Sequence, residues 1–253
     1  MNWGRLAVEN HRGRTVPRIL GVLLLLTAIA GTLLAALADS SAGRPAWTVL
    51  GASAIVFAAG LVDDLVGEDP RGIRGHARAL ASARVTSGIV KVIVILGASV
   101  IVVGAFPDRS FAVAIAGAVG IAACANLWNG LDVAPGRALK AFLLTGVPVA
   151  VAGFTDAGGW SLAPAVPATV FAGALLLAPD LRERAMLGDA GANLLGFVTG
   201  VGLYVVLPAP GIVIAAIAAV ALNALAETLS LSRLIEGTPP IRWFDGLGRI
   251  SAP

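Results

Sequence analysis

The architecture of this chain follows from the run Trp47-Thr-Val-Leu-Gly-Ala-Ser-Ala-Ile-Val-Phe-Ala-Ala-Gly-Leu-Val-Asp-Asp64. No side chain from Trp47 to Val62 is charged, and two adjacent carboxylates, Asp63 and Asp64, come directly after this stretch. The length and composition are typical of a membrane-spanning helix, so we expect the carboxylates to lie at its mouth. Adjacent carboxylates repel each other and are hard to desolvate, which favours a site that holds a cation or handles a proton or a phosphate. The alternative is a solvated helix end that only terminates the span.

The composition extends this interpretation to the whole chain. Of 253 residues, 57% are hydrophobic and 13% are charged, and the mean hydropathy is +0.88. These residues carry too little charge to cover the surface of a soluble domain. Eight nearly charge-free stretches approach the length needed to cross about 30 Å of hydrocarbon. We therefore predict a single all-α domain over residues 1–253, a polytopic membrane helix bundle. Its eight spans are predicted at roughly Ile19–Leu37, Ala46–Val62, Ile89–Ala105, Phe111–Trp128, Leu139–Phe154, Ala163–Ala178, Ala192–Leu207 and Gly211–Leu225.

The distribution of charge predicts the orientation. If the N-terminus is cytoplasmic and the spans alternate, 16 of the 18 basic residues fall in cytoplasmic segments, all except Arg44 and Arg109. The positive-inside bias requires this asymmetry. We expect a multi-pass protein in the bilayer of the plasma membrane, with long polar cytoplasmic loops and the functional face toward the cytoplasm. The net charge of +3 then reflects orientation, and no basic-aromatic pattern indicates a nucleic-acid partner.

The loop that follows the first carboxylate pair combines acidic, basic and glycine residues. It contains Arg71-Gly-Ile-Arg-Gly-His76, with Arg74 between the two glycines. Carboxylates bind Mg²⁺, arginines bind phosphate oxygens and glycines allow close approach, so the loop favours a metal–diphosphate site. Mutual neutralisation of the charges is the alternative, and His76 alone is more typical of a hydrogen-bonding loop residue. Arg12 and Arg14 also have two interpretations. They either anchor the topology of the first span or contact a phosphate.

Two further motifs lie where apolar stretches end or begin. Asn126, Asn129 and Asp132 are spaced by three residues, so on a helical turn they would share one side, although an interfacial asparagine is also a common helix cap. Amide side chains can form hydrogen bonds with the polar edge of a nucleobase, and the carboxylate can bind a ribose or an imide group. In Leu187-Gly-Asp-Ala-Gly-Ala-Asn193, Asp189 is expected to cap the following helix or to bind a metal beside a phosphate. The predicted topology puts all these motifs on one face.

Taken together, the motifs carry a family resemblance. The order Asn-x-Arg-Gly-x-x-Val-Pro, Asp-Asp at a helix end, Asn-x-x-Asn-Gly-x-Asp and Gly-Asp-Ala-Gly resembles the polyprenyl-phosphate N-acetylhexosamine-1-phosphate transferase family, from about Asn10 to Gly196. The resemblance implies an enzyme of cell-envelope glycan synthesis that depends on Mg²⁺, with Mn²⁺ as the alternative ion. It would transfer a sugar-1-phosphate, an N-acetylhexosamine phosphate, from a UDP-sugar to polyprenyl phosphate and release UMP. A homodimer is also implied.

The resemblance and the loop chemistry give each candidate residue a role. Asp63 and Asp64 would be the catalytic carboxylates near the lipid phosphate, and Asp189 together with Asp64 would bind the metal. The chain departs from the family pattern at Asn129, where aspartate is more common, in the lack of a histidine-rich loop near its C-terminal end, and in having fewer predicted spans. The residues expected to contact the substrates are Asn126, Asn129, Asp132, Arg12, Arg14, Arg71, Arg74 and His76.

Three other functions are alternatives to this transfer reaction. The departures from the family, Asn129 among them, fit a catalytically inactive homologue that acts as a membrane partner or regulator of envelope assembly. The aspartates of Asp63–Asp69 resemble the diphosphate-binding cluster of an intramembrane prenyltransferase, but Asp180 and Asp189 do not form the second such cluster. A transporter would need a charged residue deep inside a span, and the predicted spans contain none.

Overall fold

The computed structural model describes residues 6–9, 13–38, 43–66, 86–155 and 163–250. These residues form ten helices and one short antiparallel hairpin. Four of the residues expected to contact substrates lie outside the described residues: Arg12, Arg71, Arg74 and His76.

Eight of the ten helices are long and apolar, and each contains most of one predicted stretch. They are α1 (Leu20–Ala38), α2 (Arg44–Val66), α3 (Ser87–Val103), α4 (Phe111–Leu131), α5 (Arg137–Thr155), α6 (Ala165–Leu181), α7 (Gly188–Val206) and α8 (Ala209–Thr228). Six of them are long and apolar enough to cross a membrane, whereas α3 and α6 are shorter apolar helices of 17 residues each. The prediction of a helical membrane bundle is confirmed at the level of these six candidate spans.

The remaining elements precede and follow the long helices. Strand β1 (Ala7–Glu9) pairs antiparallel with β2 (Thr15–Pro17), and two short helices, α9 (Leu231–Gly237) and α10 (Pro239–Gly246), follow α8. The described residues are otherwise all-helical, as predicted, and the hairpin was not predicted because strands of three residues are too short to show a period-two pattern.

Helix α7 is the centre of the bundle. Within the described residues, 78% of its apolar segment is buried, and it packs against α1, α2, α4 and α5. Glycines at the contacts bring the backbones close together. A Cβ on Gly196 would lie 2.3 Å from the carbonyl oxygen of Cys124, and a Cβ on Gly60 would lie 2.6 Å from the carbonyl oxygen of Asp189. The outer helices instead expose large apolar side chains suited to lipid, among them Leu34, Ile93 and Ile217.

The helix ends that carry the sequence motifs meet at one end of the bundle, which we call the polar end. It comprises the starts of α1, α3, α5 and α7 and the ends of α2, α4, α6 and α8. Side-chain contacts between these ends establish the arrangement, because Asp64 reaches α7 and Asn126 reaches α8. Antiparallel neighbours are what alternating spans require, and they bring motifs that are more than a hundred residues apart into one site.

Candidate functional site

The carboxylate of Asp64 caps helix α7 from the neighbouring helix α2. Its Oδ1 and Oδ2 accept hydrogen bonds from the backbone N–H groups of Asp189 and Ala190, both at 3.1 Å, and Arg18 Nη1 lies 2.9 Å from Oδ1. The first N–H groups of a helix have no partner within the helix, and a carboxylate there also interacts favourably with the helix dipole. The prediction that Asp189 caps α7 is therefore wrong. Its backbone N–H receives the cap, and its side chain remains available for other partners.

The glycine of the Gly-Asp-Ala-Gly motif allows Asp64 to approach. Gly188 has a φ of +66°, in the left-handed region that side chains rarely adopt. A Cβ at this position would lie 2.7 Å from Asp64 Oδ2 and 3.2 Å from Arg18 Cδ. Both the backbone conformation and the space around it thus require glycine here.

A lysine joins two further carboxylates at the polar end. Lys91 Nζ lies 2.6 Å from Asp189 Oδ2 and also forms an ion pair with Asp63, whose other oxygen accepts a hydrogen bond from Ser87 Oγ. Lys91 is only 7% exposed, and a buried ammonium needs such paired oxygens. Lys91, Ser87 and Arg18 were not predicted as site residues from the sequence. A lone lysine near the start of an apolar stretch was the signal that could have identified Lys91.

The two predicted asparagines of α4 lie on the same side of that helix but have different partners. Asn126 Nδ2 donates to Asn223 Oδ1 of α8 at 2.6 Å. Asn129 Oδ1 accepts a long hydrogen bond, 3.4 Å, from Nδ2 of Asn193, which also donates to the Asp189 carbonyl at 2.7 Å. Asn193 is 1% exposed, and its Oδ1 has no hydrogen-bond partner in the part of the chain that the structure describes.

Two adjoining cavities open beside these residues. The first, which we call the polar chamber, has a volume of about 390 Å³ and is lined by Lys91, Asn126 and Asn129 together with the end of α8 and the start of α9. The second, which we call the apolar groove, has a volume of about 510 Å³ and runs between α3, α4 and α8. Lys91, Asn126 and Asn223 line both cavities, and the rest of the groove is lined by aliphatic side chains and glycine.

Asp132 lies apart from the polar chamber. Helix α4 ends at Leu131, and Asp132 lines a separate cavity of about 200 Å³ together with Asp180. Burial, followed by the charges of neighbouring carboxylates, raises the pKa of Asp132 well above its ordinary value. Asn126 and Asn129 share one side of α4 and line the polar chamber, whereas Asp132, the residue that ends the helix, lines the neighbouring cavity. The expected contacts of these three residues with a substrate stay predictions.

The N-terminal hairpin lies beside the start of α7. The Pro17 carbonyl accepts a hydrogen bond from the backbone N–H of Met186 at 2.9 Å, and the Met186 carbonyl accepts one from the N–H of Leu20 at 3.2 Å. Arg14 lies exposed next to the first residue of β2. Its expected contact with a substrate stays a prediction.

The polar end thus contains buried positive and negative groups beside a polar chamber and an apolar groove, an arrangement suited to an amphipathic anion. No cluster of three or more His, Cys, Asp or Glu side chains that could hold a metal is found in residues 6–9, 13–38, 43–66, 86–155 and 163–250. Comparisons with protein-family models, with curated proteins and with solved structures found no significant match to the chain.

Proposed function

We propose that this protein transfers a sugar-1-phosphate, an N-acetylhexosamine phosphate, from a UDP-sugar to polyprenyl phosphate at the cytoplasmic face of the plasma membrane. The observation that supports this most is the position of Lys91, which borders both cavities and pairs with Asp63 and Asp189. A lipid phosphate needs an apolar path for its chain and a cation for its head group, and both are found there.

The two cavities suit the two substrates. In the proposed complex the polyprenyl chain occupies the apolar groove, and its phosphate reaches Lys91 at the groove's polar end. The UDP-sugar occupies the polar chamber, where Asn126 and Asn129 offer amide groups for hydrogen bonds. This division explains why an enzyme with one lipid and one aqueous substrate would have its site at a helix end.

The reaction joins two anions, so charge control is its main requirement. An oxygen of polyprenyl phosphate attacks the phosphorus that carries the sugar, and a new P–O bond forms. The bond from that phosphorus to the bridging oxygen breaks, and UMP leaves with that oxygen and its electron pair. Lys91 lowers the repulsion between the two phosphates, while Asp63 and Asp189 orient the lysine. In the proposed reaction Asp63 also accepts a proton if the lipid phosphate arrives as a monoanion.

Mg²⁺, with Mn²⁺ as the alternative ion, fits the chemistry of the residues present. Magnesium prefers oxygen ligands, and Asp63 and Asp189 offer carboxylate oxygens from two helices. Asn193, whose buried Oδ1 has no partner among the described residues, lies one turn after Asp189 on α7. When bound, the ion would neutralise phosphate charge. We assign Asp63 and Asp189 as its ligands in place of Asp64 and Asp189, because Asp63 shares the Lys91 ammonium with Asp189, whereas Asp64 is held by two backbone N–H groups at the start of α7 and by Arg18.

The proposal includes eight membrane spans with a cytoplasmic N-terminus. At about 1.5 Å per residue, the shorter helices α3 and α6 extend about 25 Å, close to the thickness of the hydrocarbon layer. All eight helices alternate between the polar end and the opposite end. The homodimer expected from the family resemblance stays a prediction.

The test is an assay of UMP release by purified protein in nanodiscs, with undecaprenyl phosphate and a panel of UDP-sugars. We expect turnover that requires Mg²⁺ and is lost in Asp189→Asn. Asp108→Asn, an exposed carboxylate outside the polar end, is the matched control and should keep full activity. Absence of turnover with every donor, in protein that is monodisperse and folded, would contradict the proposal.

A second candidate function is that of an inactive homologue that regulates or assembles with envelope enzymes. Asn129 favours it, because an amide cannot act as a base and its oxygen already accepts a hydrogen bond from Asn193. Ligand binding separates the candidates. An enzyme should be stabilised by UDP-sugar with Mg²⁺, by about 2.7 kcal/mol at a ligand concentration of 100 Kd, whereas a protein that has lost the substrate site should show no shift.

A further inference from the structure

Helix α10 has two unlike faces. At about 100° per residue, Ile241, Trp243 and Phe244 lie on one half of the helix, and Arg242 and Asp245 lie on the other. Such separation is typical of a helix that lies between an apolar and a polar environment.

The polar half of α10 is fixed to the bundle. Asp245 is 8% exposed, and its carboxylate accepts two hydrogen bonds from Arg137, each at 3.0 Å, and one from Arg249 at 2.7 Å. Lys140 Nζ donates to the backbone oxygens of Phe244 and Asp245 at 3.0 and 2.6 Å. Arg137 and Lys140 belong to the first turn of α5, so α10 lies at the level where that candidate span begins.

Apart from Phe244, whose ring centroid lies 5.8 Å from Lys140 Nζ, the apolar side chains of this segment are largely exposed. Trp243 is 68% exposed, and Ile241 and Leu247 are 47% and 41% exposed. Helix α10 follows α8 through α9 and is held by the start of α5. Both connections lie at the polar ends of candidate spans, where the hydrocarbon layer meets the lipid head groups. Tryptophan is enriched at that depth. The exposed Arg233 and Arg242 add positive charge that suits anionic head groups.

We propose that α10 is an interfacial helix whose apolar face docks on the anionic lipid surface of the membrane that the bundle spans. Ile241, Trp243 and Leu247 insert at the level of the head groups, and Arg242 remains at the aqueous side next to lipid phosphates. The docking fixes the start of α9, which lines the polar chamber, relative to the bilayer. This inference does not depend on the transfer reaction, and its test requires no substrate.

Nitroxide labelling tests the docking in the full chain. Cys124, the single cysteine, is buried, and Cys124→Ala provides a cysteine-free background. Trp243→Cys and the adjacent Arg242→Cys, each labelled, are reconstituted in phosphatidylcholine–phosphatidylglycerol vesicles. We expect the label at 243 to collide mainly with oxygen, and the label at 242 to collide several times more often with a water-soluble nickel chelate.

Equal nickel access at the two positions would overturn the proposal. Spin–spin broadening at 243 that disappears on dilution with unlabelled protein would also overturn it, because a second copy of the chain would then cover the face. The conservative variant Trp243→Phe avoids dependence on the folding of the cysteine variant. Brominated lipids should quench the fluorescence of the wild-type protein by a larger fraction than that of Trp243→Phe, and equal quenched fractions would contradict the docking.

Discussion

Asp63 and Asp64 are neighbours in sequence, yet their side chains leave α2 in directions about 100° apart and meet different partners. Asp64 holds the start of α7 through two backbone N–H groups. Asp63 holds Lys91, which also pairs with Asp189. One carboxylate therefore supports the local structure, and the other belongs to the charged cluster beside the cavities.

Gly188→Ala should lower the stability of the folded protein. The new Cβ would lie 2.7 Å from Asp64 Oδ2, at a φ of +66° that alanine adopts only at a cost of about 1 kcal/mol. We expect a lower Tm in detergent. The matched control is Gly51→Ala in α2, where a Cβ meets nothing within 4 Å, and it should leave the Tm unchanged or raise it slightly. Equal effects of the two substitutions would contradict the close contact at Gly188.

Lys91→Met should leave two carboxylates without their shared cation. We expect a loss of about 3 kcal/mol in the free energy of unfolding, because removing one partner of a buried ion pair leaves the other uncompensated. The double variant Lys91→Met with Asp63→Asn should be less destabilised than the sum of the single variants. Thermal unfolding of all four proteins in one detergent measures this coupling. Additive effects would show that the pair does not contribute as the structure indicates.

At the scale of elements, α10 is attached to α5 by the buried carboxylate of Asp245 and by the hydrogen bonds from Lys140 to two backbone oxygens of α10. Asp245 binds Arg137 in a bidentate arrangement and also binds Arg249. Burial alone would raise the pKa of Asp245, but the hydrogen bonds and charge of Arg137 and the charge of Arg249 outweigh it and lower the pKa below its ordinary value. The ion-pair part of this attachment should therefore be complete at neutral pH and weaken in acid.

The pH dependence of this attachment has a defined sign. Because the folded pKa of Asp245 is lowered, its contribution to stability is present above the unfolded pKa of about 3.9 and is lost as the pH falls through the folded pKa. The difference in Tm between wild type and Asp245→Asn should therefore shrink as the pH is lowered below about 4. Thermal scans at several pH values measure it. A difference that is constant with pH would rule out a titrating ion pair.

At the scale of the whole molecule, the groove and chamber form only where three helices from separate parts of the chain meet. Helices α3 and α4 supply two walls of the groove, and α8 supplies the third. Helix α7 lies behind them and brings Asp189 to Lys91. The site thus depends on the close glycine contacts that hold α7 in the centre of the bundle.

If the proposed transfer reaction takes place, filling the groove should selectively impair use of its lipid substrate. Val220 lines the groove, whereas Ile217 on the same helix does not. We expect Val220→Trp to raise the KM for polyprenyl phosphate about tenfold, equivalent to about 1.4 kcal/mol, with little change in the KM for the UDP-sugar. Ile217→Trp, on an exposed position, is the control and should behave as wild type. Steady-state UMP release, with each substrate varied in turn, measures both constants, and an equal rise for both substrates would contradict the assignment of the groove.

Much of the fold could be predicted from apolar runs alone, because a segment that spans hydrocarbon must satisfy its backbone hydrogen bonds internally as a helix. Each predicted stretch lies within a few residues of one observed helix. The exact ends were less predictable. Helix α7 begins before Asp189, and α4 ends before Asp132. Whether a polar residue at a helix end belongs to the helix depends on the contacts it makes with neighbouring segments, and its own sequence does not reveal those contacts. The hairpin β1–β2 was missed for its short length.

The sequence by itself determined the helical membrane class, the motifs at the helix ends and the choice of Asp63, Asp64 and Asp189 as central residues. Hydropathy and charge act locally, so they can be read without knowing which helices are neighbours. Only the tertiary structure decided that Asp64 caps α7, that Lys91 joins Asp63 to Asp189, and that Asp132 lies in another cavity. These are pairings between distant segments, and their partners are set by which helices pack together around the glycines of α7.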